Sequence, residues 1–119
     1  MDSTRQLKFA RLIQKEIGNL FLKEGRNYYG SSFVTVTGVK ITPDLSKARI
    51  QISVFQNKGQ EVLTQLSHHT REIRRELGNR IHNQARIIPE LEFFIDDSLD
   101  YAEKIDKIMK DIIIPPEKD

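Results

Sequence analysis

Apolar residues in the first part of the chain recur every three or four positions, which predicts an amphipathic helix from Ser3 to Glu24. The apolar stripe of this helix consists of Phe9, Leu12, Ile13, Ile17, Leu20 and Phe21. Asp2, Ser3 or Thr4 is expected to cap it, because short side-chain oxygens accept the free N–H groups of a first turn. Gly25 follows and is expected to end the helix in a left-handed conformation.

Two stretches with the alternation of β-strands come next. Phe33–Thr42 is rich in β-branched residues, and Ala48–Val54 alternates apolar with polar positions. Pro43-Asp44 lies between them and is a turn signal, since proline presets φ and aspartate hydrogen-bonds its own backbone. The pattern predicts an antiparallel hairpin with one buried face. A third strand is predicted at Glu90–Ile95, directly after Pro89.

Helical spacing returns from about Gln60 to His82 and again after the third strand. In the first of these stretches, Ser67–Arg71 contains no apolar residue and is longer than one helical turn, so we expect a kink or a break there. The last helix is expected to begin at Asp96, Asp97 or Ser98 and to end before Pro115-Pro116.

The predicted order of elements is α-β-β-α(α)-β-α, which describes a single α+β domain with helices packed on a three-stranded sheet. We place this domain at residues 1–114, followed by a short charged tail at residues 115–119.

The chain has 119 residues, no cysteine and a net charge of +2, which hides an uneven distribution. From residue 1 to 89 there are 15 Lys and Arg against 7 Asp and Glu, a balance of +8; residues 90–119 have 4 against 10, a balance of −6. A basic body indicates a polyanionic partner, with an unevenly charged solvated surface as the alternative. The chain contains no apolar run long enough for a membrane span and no secretory signal, so a cytoplasmic protein is expected.

Catalytic chemistry finds little support in the sequence. There is no glycine-rich phosphate loop, no H-E-x-x-H pair and no G-x-S-x-G elbow. Asp96, Asp97 and Asp100 are the nearest approach to a magnesium site, but acids at a helix start are far more often caps. We therefore expect neither a cofactor nor a metal, and a hydrolase or nuclease is the least favoured interpretation.

Arginines are concentrated in the second long helix and the segment after it. Arg71, Arg74 and Arg75 are spaced i, i+3, i+4, which places them on one helical face, and Arg80 and Arg86 follow. Guanidinium groups suit phosphate oxygens, although a cluster of this kind is more often a solvated helix face. The aromatic residues of the strands are expected in the core, whereas Tyr28-Tyr29 is expected to lie exposed in a loop before the first strand.

Three stretches of the chain resemble ribosome-binding factor A, a bacterial family. They are FVTVTGVKITPDLSKARIQISVF from Phe33 to Phe55, IRRELGNRI from Ile73 to Ile81, and IPELEFFIDDSLDYAEKID from Ile88 to Asp106. The first includes the family's proline-aspartate-leucine-serine turn, and the opening of the chain, with Arg5, Ile13, Glu16 and Ile17, is similar to the family's first helix.

The resemblance implies a KH-like fold of the type-II order and a non-enzymatic role. It implies a monomer that binds the small (30S) ribosomal subunit and its 16S rRNA and assists late maturation of that subunit, including in the cold. An assembly GTPase that drives release is a further candidate partner. The family's alanine-x-glycine kink falls here on His69, Thr70 and Arg71, without a glycine. The segment around Asn83-Gln84 is slightly longer than in the family, so residues 82–86 align least directly.

The leading hypothesis is recognition of the phosphate backbone and shape of ribosomal RNA. The candidate RNA-binding residues are His69, Thr70, Arg71, Arg74, Arg75, Arg80 and Arg86, with Lys8, Arg11 and Lys15 as auxiliaries if the first helix lies beside the second. Arg71 is expected to supply a charge-assisted phosphate contact in place of the missing backbone approach. The alternative is a protein-interaction module that uses its acidic C-terminal helix.

Overall fold

The computed structural model describes residues 2–96, which contain two long helices and three strands. The elements are α1 at Thr4–Tyr29, β1 at Val34–Ile41, β2 at Lys47–Val54, α2 at Gly59–Ile81 and β3 at Glu90–Ile95, with a 3-10 turn at Phe55–Asn57 before α2. The predicted α+β class and all three strands are confirmed. The predicted last helix and the domain boundary at residue 114 lie outside the described residues.

Helix α1 begins with a capping box that also ties it to the sheet. Ser3 is the N-cap: its Oγ accepts the backbone N–H of Gln6 at 3.1 Å, and Gln6 Oε1 accepts the N–H of Ser3 at 2.9 Å. The side-chain amide nitrogen of Gln6, Nε2, donates to the backbone carbonyl of Ile41 at 2.9 Å. The buried Gln6 side chain therefore fixes the start of α1 against the end of β1.

The prediction that Gly25 ends α1 is wrong. The helix continues to Tyr29 and ends at Gly30, whose φ of 76° lies in the region that favours glycine. The phenol of Tyr29 packs directly over Gly25, in space that a β-carbon would occupy. Gly25 is thus required for close packing inside the helix, not for its termination.

Tyr28 and Tyr29 are likewise not in an exposed loop. They are 5% and 7% exposed and complete an aromatic cluster with Phe21, whose ring centroid lies 6.5 Å from that of Tyr28 and 5.3 Å from that of Tyr29. They follow Phe21 by seven and eight residues, about two helical turns, so they continue the buried stripe of α1.

The sheet has the strand order β1-β2-β3, with β1 and β2 antiparallel and β2 and β3 parallel. Ala48, Ile50 and Ile52 of β2 pair in register with Leu91, Phe93 and Ile95 of β3 and form the buried face. The turn at Pro43-Asp44 is confirmed: Asp44 Oδ1 accepts the hydroxyl of Thr42 at 2.8 Å and the backbone N–H of Ser46 at 3.0 Å.

Both helices pack against the core face of the sheet, and they run antiparallel to each other. Glu16 of α1 contacts Arg80 of α2, and Tyr28 near the end of α1 contacts His69 in the first half of α2. The core between helices and sheet is aliphatic, with Ile13, Ile17, Leu66, Ile73 and Leu77 all fully buried. No helix among residues 2–96 has the length and hydropathy of a membrane span.

Candidate nucleic-acid interface

Helix α2 is continuous through the segment where a kink or break was expected. Leu66 and Ile73 are both fully buried and lie seven residues, or about two turns, apart on the same face. Thr70 and His69 fill the turn between them as half-buried side chains, and the Thr70 hydroxyl donates to the carbonyl of Leu66 at 2.9 Å. The expectation of a kink or break is wrong because the half-buried side chains of His69 and Thr70 continue the packed face of the helix between Leu66 and Ile73.

His69, Thr70 and Arg71, which align with the kink motif of the family, therefore lie in a regular helix. His69 Nδ1 lies 2.9 Å from a carboxylate oxygen of Glu72, and its ring centroid is 5.7 Å from that of Tyr28. Thr70 is turned back onto its own helix, whereas Arg71 is exposed and takes part in no ion pair recorded among residues 2–96. Of these three candidates, Arg71 is the one whose charge is open to a polyanion.

Arg74 has a structural partner that sequence reasoning missed. Its Nε donates to the carbonyl of Pro89 at 3.0 Å, and Nη2 donates to the carbonyl of Ile88 at 2.7 Å. The guanidinium fork thus joins α2 to the segment that enters β3. Such a long-range contact leaves no local signal in the sequence.

Arg75 and Arg80 lie in a cleft between α1 and α2 in which acidic groups balance the basic ones. The cleft has a volume of about 390 Å³ and contains the cations of Lys23, Arg75 and Arg80 and the carboxylates of Glu24, Glu72 and Glu76. Arg80 Nη1 also lies 3.5 Å from Glu16 Oε1, and both side chains are largely buried. This part of the candidate set is therefore close to neutral and less suited to bind phosphate than its arginines alone suggested.

The same cleft raises the pKa of Tyr28. Burial is the main cause, and the negative charges of Glu76 and Glu72 add to it. The phenol is therefore held in its neutral form beside the helix pair.

Lys8 and Arg86, which the sequence suggested separately, are brought together in a second groove. Together with Arg5 they line a space of about 520 Å³ between the first turns of α1, the β1–β2 turn and the segment between α2 and β3. Arg5 was not among the candidate residues, although its i, i+3 spacing to Lys8 was a signal that could have included it. We call this space the basal groove.

Arg11 and Lys15 do not join the arginines of α2. The helices do lie side by side, but α1 faces α2 with Glu16 and Tyr28, and Lys15 follows the solvent face of α1. Lys15 instead lines a groove of about 480 Å³ between α1 and β1, beside the exposed side chains of Leu22 and Phe33. The ten candidate residues therefore lie in several separate places on the surface and do not form one continuous basic face.

The described residues hold no group of three or more His, Cys, Asp or Glu side chains that could bind a metal ion. Asp44 lies at the rim of the basal groove, and its pKa is lowered because the Ser46 hydroxyl and N–H and the Thr42 hydroxyl donate hydrogen bonds to it. Asp44 is therefore a stable negative charge at neutral pH.

Comparison with known proteins gives a consistent result. A family model described as ribosome-binding factor A matches residues 5–109. A ribosome-binding factor A of Cytophaga hutchinsonii is 44% identical over 120 residues, covering 100% of this chain and 90% of the relative. The crystal structure of ribosome-binding factor A from Thermus thermophilus superposes with a TM-score of 0.64 at 19% identity, covering 76% of this chain and 94% of that one.

A second Thermus thermophilus structure is a homology model of ribosome-binding factor A fitted into a cryo-EM map of a 30S complex. It superposes with a TM-score of 0.54 at 23% identity and covers 82% of this chain and 97% of that one. The structural neighbours confirm the KH-like fold of the described residues.

Proposed function

The chain belongs to the ribosome-binding factor A family, and from this premise we propose that it binds the small ribosomal subunit and its 16S rRNA and assists late maturation of that subunit. The family match over residues 5–109 is the observation that carries the proposal. The Thermus thermophilus relative that was fitted into a 30S complex supports the choice of the small subunit as the partner.

The distribution of charge supports RNA as the part of the subunit that is bound. Arg71 on α2 and the three cations of the basal groove are exposed and unpaired within residues 2–96, so they are available to phosphate oxygens. Arg74 contributes by holding the segment that carries Arg86 against α2, and Arg75 and Arg80 contribute less because glutamates offset them. We therefore propose a different ranking from the one based on the sequence, in which the five arginines had the main role and Lys8, Arg11 and Lys15 were auxiliaries.

The mechanism we propose is selective binding without catalysis. A protein shifts the conformational equilibrium of an RNA only by binding one conformer more tightly than another. The factor therefore stabilises a mature-like arrangement of the rRNA, a role that matters most at low temperature, where misfolded RNA is slow to rearrange. We further propose that it acts as a cytoplasmic monomer, that residues 1–114 form its single domain with residues 115–119 as a tail, and that an assembly GTPase promotes its release.

The test is co-sedimentation of the full chain with purified 30S, 50S and 70S particles over a series of salt concentrations. We expect selective binding to the small particle, and this binding should weaken steeply with salt because bound phosphates release counterions. Equal binding to all particles would reject the proposed function. Retention on a protein partner after nuclease treatment and at high salt would instead identify an interaction module.

A further inference from the structure

The basal groove combines two kinds of surface that phosphate binding alone does not require. Its rim carries the cations of Arg5, Lys8 and Arg86. Its inner lining consists of half-buried apolar side chains, those of Phe9, Leu12, Leu45 and Ala85, and the exposed side chains of Gln84 and Ile87 complete it. Arg5, Lys8 and Arg86 are all exposed, and none of them belongs to an ion pair recorded among residues 2–96.

The size of the groove also exceeds what a phosphate group needs. Its volume of about 520 Å³ lies within the range of sites that enclose most of a small organic ligand, roughly 300–1,000 Å³. Ile87 is 62% exposed at its edge, so an apolar side chain is in contact with water there. The occupant that fits is an anion with a flat, apolar body.

Asp44 narrows the choice of anion. Its carboxylate lies at the groove rim and is held there through Oδ1 by Thr42 and Ser46, with hydrogen bonds of 2.8 Å from each hydroxyl. An acidic peptide would meet this fixed negative charge and be repelled by it. A nucleobase with an exocyclic amine would instead donate a hydrogen bond to it, as cytosine does to aspartate in known recognition modes.

A base that is paired in a duplex cannot enter such a recess, because its faces are stacked and its edge is occupied. Sequence-dependent recognition of RNA therefore acts on unpaired nucleotides, which expose both the faces and the edge of the base. The phosphates on either side of an unpaired base remain within reach of cations at the rim, and arginine forks bind them with two N–H groups.

We propose that the basal groove binds an unpaired RNA nucleotide, with the base on the apolar floor, an exocyclic amine directed at Asp44, and the flanking phosphates on Arg5, Lys8 and Arg86. The inference rests on the proposed RNA-binding function and extends it to a specific element of RNA. It separates the basal groove from Arg71 on α2, which binds backbone phosphate only.

Fluorescence anisotropy with the full chain tests the groove directly. The probes are unstructured hexanucleotides of cytidine, adenosine and uridine, and a blunt RNA hairpin whose two strands are joined by an ethylene-glycol linker, so that it contains no unpaired base. We expect the cytidine or adenosine hexamer to bind at least about fivefold more tightly than the hairpin, because stacking of an unpaired base adds to the phosphate contacts. Uridine, which lacks an exocyclic amine, is expected to bind more weakly than cytidine.

Two matched pairs of variants assign the effect to the groove. Ile87→Ser should weaken the hexamer about threefold or more and leave the hairpin unchanged, while Leu22→Ser, at an even more exposed apolar position outside the groove, should change neither. Arg86→Ala should weaken the hexamer more than Arg26→Ala, which removes one exposed cation from the end of α1 and so lowers the net charge equally. Asp44→Asn should reduce the preference for cytidine over uridine.

The outcomes separate this inference from the proposed function. Selective co-sedimentation with the small particle, together with equal binding of hexamer and hairpin, would overturn the inference and leave the function standing. Loss of both would overturn both. An acidic peptide that displaces the hexamer at concentrations comparable to those of unlabelled RNA would also overturn it, because the groove would then be a general site for anions.

Discussion

At the scale of single residues, Arg71 and Arg74 look equivalent in the sequence but perform different tasks. Arg74 donates two hydrogen bonds to the carbonyls of Ile88 and Pro89, whereas Arg71 extends from the exposed face of α2. The distinction depends on the position of a segment that lies 14 and 15 residues further along the chain. Two arginines three residues apart therefore make a natural pair for separating stability from binding.

Arg74→Ala is expected to lower the free energy of unfolding by about 1–2 kcal/mol, because two carbonyls lose a charged donor. Arg71→Ala should change it by less than about 0.5 kcal/mol, as expected for an exposed side chain without a fixed partner. Urea denaturation followed by circular dichroism measures both. Equal destabilisation by the two variants would contradict the assigned role of Arg74.

In subunit binding, Arg71 is the more informative of the two. Arg71→Ala should weaken co-sedimentation with the small particle and reduce the slope of log affinity against log salt by about 0.7–0.9, as for one lost phosphate contact. An unchanged affinity and salt slope would remove Arg71 from the RNA interface.

Tyr28 is expected to make the free energy of unfolding depend on pH in the alkaline range. Burial, with the charges of Glu76 and Glu72, raises its pKa above the ordinary value of 10.0 in the folded protein. The resulting stabilisation is fully present below the pKa of the unfolded chain and is lost as the pH rises through the raised folded value. Urea midpoints measured between about pH 8 and about pH 11 should therefore fall less for Tyr28→Phe than for the unaltered chain. Parallel curves would show that Tyr28 does not contribute.

At the scale of secondary-structure elements, the local patterns of the sequence predicted what local physics controls. The hairpin turn and the third strand depend on residues within a few positions and were predicted correctly, and the cap is Ser3, one of the three residues proposed for it. The end of α1 and the continuity of α2 were not, because each depends on which side chains the folded core buries, and the apolar spacing did not show this. The Tyr29 ring covers Gly25, and half-buried polar residues bridge the buried stripe of α2.

The candidate interface was predictable to a smaller extent than the fold. Sequence spacing identified the cations and placed Arg71, Arg74 and Arg75 on one helical face. Glu72 and Glu76 are neighbours of Arg75 in the sequence of α2, but spacing gave no indication that Glu24 of α1 would join them. Nor did it indicate that Arg5, Lys8 and Arg86 would meet around an apolar groove. These are consequences of how three elements pack, and a charge count along the chain does not contain them.

The continuity of α2 can be tested with the family's own kink motif. His69→Ala/Arg71→Gly restores alanine-x-glycine and should destabilise the helix by about 1 kcal/mol, the usual effect of glycine in a helix interior. Hydrogen exchange should then show faster exchange of amides near residue 71, with little change near Leu77 in the same helix. Unchanged protection around residue 71 would mean that the helix is not held together locally as described.

The start of α1 makes a second prediction at this scale. Gln6→Ala removes both the hydrogen bond to the Ile41 carbonyl and half of the capping box, and should lower the free energy of unfolding by about 1–3 kcal/mol. Gln14→Ala, at a half-buried position of the same helix, should change it by less than about 0.5 kcal/mol. Thermal or urea unfolding measures both, and equal effects would show that the contact between α1 and β1 is not what stabilises this end of the helix.

At the scale of the whole molecule, the position of each charge matters more than the number of charges. The inter-helix cleft and the basal groove each contain three Lys or Arg side chains, but the cleft also contains three glutamates and the groove only Asp44. An RNA phosphate that approaches the cleft meets nearly balanced charge, whereas one that approaches the groove meets a net positive field. Equal losses of positive charge at the two places should therefore have unequal effects on binding.

This asymmetry is measurable as a difference in counterion release. Lys8→Ala/Arg86→Ala should reduce the slope of log affinity for the small particle against log salt by about 1.4–1.8, since each phosphate contact contributes about 0.7–0.9. Lys23→Ala/Arg75→Ala removes the same charge from the cleft and should reduce the slope by less than about 0.5, because the glutamates already neutralise these side chains. Equal reductions would mean that the subunit responds to the total charge of the protein. A larger reduction for the cleft pair would move the RNA interface from the basal groove to the helix pair.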